Sequence, residues 1–193
     1  MSKFKEQRVG VLVDIQNLYY SAKVLHKKKT NFGALLKAGV GDRKLIRAIA
    51  YGIKTLEGQE EKFFEALGKQ GFEVKTKDLQ IFPGGAKKGD WDVGITVDAI
   101  KMSKSLDVII LMSGDGDYIP LVNYIQSTTG CRVEVMAFLE STSSKLVEEV
   151  DEFTNISADR IAIPLALEAD RMANLLLREE DVATERMVAI EER

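Results

Sequence analysis

At 193 residues, with 45% hydrophobic and 30% charged side chains, the chain has the size and composition of one globular domain with a short extension, not those of a disordered or membrane-embedded protein. No apolar run approaches the ~18 residues a spanning helix needs, and Met1 to Arg8 is charged with no apolar leader behind it, so a cytoplasmic location and no membrane partner are expected. The net charge of −3 hides an asymmetry, +7 over residues 1–101 against −10 over residues 102–193, and the positive half could meet an anionic substrate.

Arg8 to Asp14 is a continuous apolar run ending in a carboxylate and reads as a buried strand; Ile15 to Lys27 follows with helical spacing in Leu18, Ala22 and Leu25. Leu45 to Ile53 reads as a second strand. Gln59 to Gln70 places Phe63, Phe64 and Leu67 at helical spacing and stops at Gly71, before the short strand Phe72-Glu73-Val74-Lys75. Phe82 to Gly89 is a breaker-rich, positive loop that could approach phosphate oxygens or simply cap the sheet. Trp91 to Lys104 reads as a helix carrying Asp92 and Asp98, whose directions differ by roughly 120° at 3.6 residues per turn. Of the two, Asp98 inside an apolar stretch is the stronger site candidate. Asp107 to Met112 is the clearest buried strand, running into Ser113-Gly114-Asp115-Gly116-Asp117 and a helix from Tyr118 to Thr129 with Pro120 in its first turn. Arg132 to Phe138 is the last expected strand. Ser141 to Ser144 reads as the cap of a helix from Lys145 to Glu152, and residues 166 to 193 as a polar helical tail with an imperfect apolar stripe.

Strands and helices alternate, which predicts an α/β fold with a five-stranded, mostly parallel sheet; residues 1–160 would form the domain and 161–193 a helical extension, a candidate homodimer contact. A parallel sheet delivers its strand ends to one edge, so right-handed crossovers bring Asp14, Asp98, Asp115 and Asp117 together there. Oxygen donors of this kind suit Mg²⁺ or Mn²⁺. An EF-hand beginning at Asp115 fails, because Ile119 falls at a ligand position and Pro120 where the loop needs glycine. There is no Walker A loop, no Gly-x-Gly-x-x-Gly after the first strand and no Ser-His-Asp set, the only histidine, His26, reading as a solvated residue beside a lysine run. Cys131 reads as a core thiol.

Three motifs carry a resemblance: Val11-Leu12-Val13-Asp14-Ile15-Gln16-Asn17-Leu18-Tyr19-Tyr20, Lys88-Gly89-Asp90-Trp91-Asp92-Val93 with Asp98, and Ser113-Gly114-Asp115-Gly116-Asp117-Tyr118-Ile119-Pro120. In this order and spacing, over roughly residues 8 to 140, the chain resembles the NYN domains of the PIN-like nuclease superfamily, in particular the bacterial LabA-like branch. The resemblance implies a Rossmann-like PIN-type α/β/α sandwich and divalent-metal-dependent ribonuclease activity with RNA as substrate. It implies that Asp14, Asp98, Asp115 and Asp117 carry the acidic, metal-binding site, that Asn17 and Asp92 support it, and that Lys88 and Ser113 contact substrate. Asp90-Trp91 departs from the simpler Lys-Gly-Val-Asp pattern and adds bulk beside Asp92. The other readings are an inactive RNA- or protein-binding module of the same fold and a phosphatase, the latter lacking a second aspartate two residues after Asp14.

Overall fold

The computed structural model describes residues 4–55, 60–81 and 87–156. In chain order the elements are β1 (Arg8–Asp14), α1 (Ile15–His26), α2 (Phe32–Val40), β2 (Lys44–Lys54), α3 (Glu61–Lys69), β3 (Glu73–Asp78), β4 (Gln80–Ile81), β5 (Lys87–Lys88), α4 (Asp92–Ser103) and β6 (Val108–Met112). A 3-10 turn (Gly116–Tyr118), α5 (Ile119–Thr128), β7 (Arg132–Ala137), a second 3-10 turn (Leu139–Ser141), α6 (Ser144–Glu149) and β8 (Glu152–Asn155) follow.

The main sheet has six strands, all parallel, in the order β3-β2-β1-β6-β7-β8, with helices flanking it; β4 and β5 form a separate antiparallel ribbon. Ignoring the ribbon, this is the 3-2-1-4-5-6 order of doubly wound folds. The chain leaves β1 toward β2 on one side and reaches β6 on the other, so the crevice outside the carboxyl ends of β1 and β6 is the topological switch point. The two central strands are the most apolar. Val108 to Met112 are all buried, as are Val9, Val11, Leu12 and Val13 of β1, each large side chain contributing about 1.5–3 kcal/mol on burial.

The sheet has six strands rather than the expected five. Glu152–Asn155 adds an edge strand beside β7, and the helix expected to run to Glu152 stops at Glu149. Phe153 is the only large apolar residue of that strand, too little pattern for a two-residue period to register. Helix α2 was also not anticipated. It is capped by the Asn31 side chain, which accepts from Ala34 N–H at 3.0 Å, and ends at Gly41, whose φ of +59° favours glycine. His26 is only partly exposed: its ring packs 5.3 Å from that of Phe138, with Nε2 buried. Cys131 is a buried core thiol, as expected, and burial pushes its pKa up to about 12. The expected tail helix over residues 166–193, and with it the 160/161 boundary and the dimer contact, lies outside the described residues. Among the described residues no helix is long and apolar enough to cross a membrane.

Candidate metal centre

Each carboxylate at the switch point is set by its local turn. β1 ends at Asp14, which caps α1: its Oδ1 accepts from Asn17 N–H at 3.1 Å. Asn17 in turn reaches across the crevice, its Oδ1 accepting from Gly114 N–H at 3.0 Å, and so joins the loop after β1 to the loop after β6. Beyond β6, Asp115 caps the 3-10 turn by accepting from Asp117 N–H at 2.9 Å, while its own N–H donates to Ser113 Oγ at 3.3 Å.

Gly114 is required by a close approach. A Cβ there would lie 2.6 Å from Thr142 Oγ1 and 3.0 Å from Thr142 Cα, and the Gly114 carbonyl accepts from Ser143 N–H at 3.0 Å. The segment after β7 therefore presses the acidic turn into place without contributing a carboxylate. The Ser141–Ser144 stretch includes the start of α6 but gives it no side-chain cap.

From α4, Asp92 completes a group of three: one carboxylate oxygen each from Asp92, Asp115 and Asp117 lies within 4.8 Å of the others. Asp92 and Asp115 are partly buried and Asp117 is exposed, so the group opens to solvent on one side. The buried Tyr118 donates its hydroxyl to Asp92 Oδ1 at 3.1 Å. Burial pushes the Asp14 carboxyl up to about 7, and the charges of Asp92 and Asp115 push the same way, against the Asn17 N–H bond. Asp92 is also raised, by burial first and then by Asp115, although the Tyr118 hydroxyl opposes the shift. Tyr118 is itself raised, by burial and then by Asp14, Asp92 and Asp115. Among the described residues, the hydrogen-bond donors that reach Asp14 and Asp92 are neutral. Carboxylates crowded together with neutral donors disfavour their own ionisation, and a hard divalent cation relieves that cost. The residues present fit such an ion, with Asp92, Asp115 and Asp117 as the converging donors and Asp14 beside them.

Asp98 is placed elsewhere. Its Oδ2 accepts from Tyr51 Oη at 2.7 Å and from Lys75 Nζ at 2.7 Å. Burial alone would raise its pKa, but the Lys75 and Tyr51 hydrogen bonds and the Lys75 charge outweigh that and hold it low. The two helix aspartates thus point apart as their 120° separation requires, and it is Asp92, expected only in support, that joins Asp115 and Asp117. Ser113 is fully buried behind the turn, so the hydroxyl expected to contact substrate instead receives the Asp115 N–H. The Lys88 backbone pairs with Gln80 in the β4–β5 ribbon, and its side chain lies outside the described residues. Tyr118, Tyr51 and Lys75 were not anticipated. Their contacts span 26, 47 and 23 residues, and no local pattern reports such distances.

Among solved structures, a protein of unknown function from Vibrio parahaemolyticus RIMD 2210633 is similar to this chain at 33% identity and a TM-score of 0.76, covering 84% of this chain and 100% of its own. No curated protein matches. The NYN domain matches residues 8–158, across all six parallel strands and the whole carboxylate group. The chain belongs to the NYN domain family and has its PIN-like nuclease fold.

Proposed function

We propose that this protein is a divalent-metal-dependent ribonuclease that hydrolyses RNA phosphodiester bonds at the switch-point crevice. The observation that carries the reading is the convergence of Asp92, Asp115 and Asp117 within 4.8 Å, on a fold shared with nucleases. In this reading Asp92, Asp115 and Asp117 hold Mg²⁺ or Mn²⁺, and Asp14 lies beside them. A bound ion of this kind lowers the pKa of an attacking water and neutralises charge on the phosphate and the leaving oxygen. Tyr118 orients Asp92 through its hydroxyl, and Asn17 fixes the spacing of the two ligand-bearing turns. The Lys87-Lys88 ribbon supplies positive charge for the RNA backbone. The three motifs favour the LabA-like branch, and the proposed substrate is cytoplasmic RNA.

Cleavage of labelled single-stranded RNA and DNA in Mg²⁺, Mn²⁺ or chelator, with the Asp115→Asn protein alongside, tests this. Metal-dependent cutting of RNA that disappears in the variant is the expected result. RNA that binds but stays intact under every ion would replace the enzyme with an RNA-binding module.

A further inference from the structure

Trp91, the only tryptophan in the chain, stands immediately before Asp92 and is partly accessible. It is held on several sides. Its Nε1–H donates to the Gly52 carbonyl at 2.8 Å, at the carboxyl end of β2, and its ring lies 5.2 Å from that of Tyr51 at 58°. Gly94 lets the next turn of α4 close on the indole, since a Cβ there would meet Trp91 Cε3 at 2.5 Å. The Lys77 ammonium rests over the indole, 4.8 Å from the ring centroid, and Lys77 forms no ion pair among the described residues.

Lys77 is placed by the network that holds Asp98. Lys75 and Lys77 are two apart on β3 and so share a face of this edge strand. The Lys75–Asp98 ion pair, joined by Tyr51, clamps that face to α4. Asp98 therefore helps to join the strand that carries the cation to the helix that follows the indole.

We propose that Trp91 and Lys77 form a docking platform for an unpaired nucleotide beside the carboxylate group: a base stacks on the indole in place of the ammonium, and Lys77 moves to the adjoining phosphate. The proposal rests on the ribonuclease reading and deepens it by selecting single-stranded over duplex substrate. An accessible cation–π contact is weaker than base–aromatic stacking, so the exchange is favourable, and a duplex keeps its base faces covered. Trp91 also packs against the hydrophobic core, so the indole is held in place while the ammonium over it can move.

Because Trp91 is the only tryptophan, its fluorescence reports the platform directly. Single-stranded oligoadenylate and an RNA duplex of equal length are titrated into the full-length Asp115→Asn protein, which keeps Trp91. Saturable quenching by the single strand and little by the duplex is expected. Lys77→Gln should reduce the slope of log affinity against log salt by about one. Trp91→Leu should weaken binding about tenfold or more, followed by fluorescence anisotropy of the labelled strand, with Trp91→Phe restoring most of it. Circular dichroism of each variant shows that the fold is kept, and the Lys77→Gln result stands if Trp91→Leu does not fold. Oligoadenylate that binds without changing Trp91 emission, or fails to bind, overturns the platform. If the native protein still cuts RNA in an Asp115-dependent way, the ribonuclease reading survives that failure. Quenching without cutting keeps the platform and removes the enzyme.

Discussion

Helix α4 carries the same side chain at its start and at its middle in opposite electrostatic settings. At its start Asp92 faces Asp115 and Asp117, receives a neutral hydroxyl, and is held above the usual carboxylate range. Six residues later Asp98 faces a lysine and a tyrosine and is held below it. A carboxylate that meets others is poised to bind a cation, whereas one that has already met an ammonium is neutralised and serves to hold two elements together. The partner, rather than the residue type or its place in an apolar stretch, decides the role.

The largest expected effect separates the two directly. Asp92→Asn should lower metal-dependent RNA cleavage and Mn²⁺ affinity at least ~100-fold, read by cleavage rate and by calorimetry, because it removes a converging donor. Asp98→Asn should leave Mn²⁺ affinity nearly unchanged and cost about 1–2 kcal/mol in urea unfolding, since it weakens two charge-assisted hydrogen bonds that are only partly shielded from solvent. Equal losses of Mn²⁺ affinity in the two variants would erase the distinction.

A second contrast lies in pH. The Asp14 pKa is raised from 3.8 to about 7 on folding, so the stability it contributes is present below about pH 4 and is lost as pH rises through 7. In chelator the melting temperature should therefore carry a downward component between pH 5 and 8 that Asp14→Asn removes and Mn²⁺ offsets. A chelator-treated Asp14→Asn protein with the native pH profile would show that Asp14 does not carry this component.

The smallest effect concerns the exposed Arg8–Asp107 pair, whose guanidinium holds the Asp107 carboxyl down to about 2. Its contribution is present above about pH 4 and is lost as pH falls through 2. At neutral pH, Asp107→Asn should cost under ~1 kcal/mol in urea unfolding. A larger loss would mean that the Asp107 bond to the Arg8 backbone N–H, 2.7 Å long, matters more than the charge pair.

What could be read from the sequence was what local pattern encodes. The apolar runs of β1 and β6 placed Asp14 and Asp115 at strand ends, because buried parallel strands are continuous in hydrophobicity and stop at polar residues. Edge strand β8 was not legible because Glu152–Asn155 is short and partly exposed. α2 was legible and went unread: besides the Asn31 cap and the terminal Gly41, Phe32, Leu35, Leu36 and Val40 fall at the spacing of an apolar helical stripe. At the site, the angular separation of Asp92 and Asp98 was legible, whereas which of them faces Asp115 depends on how α4 is rolled against the sheet. That roll is shared by contacts such as Trp91 to Gly52 and Lys75 to Asp98, which join residues far apart in sequence.

The bond from Asn17 to Gly114 spans 97 residues and has a bearing on biosynthesis. A ribosome that has released the chain only as far as α4 has exposed Asp14 and Asp92 but still holds Asp115 and Asp117 inside its exit tunnel, so the ion-binding group has not assembled on that intermediate. It comes into being when β6 is inserted beside β1, and such long-range parallel pairing is a late event in folding. In the proposed nuclease, the order of emergence would delay any attack on phosphodiesters until most of the sheet is in place, while the nascent protein is still surrounded by ribosomal and messenger RNA.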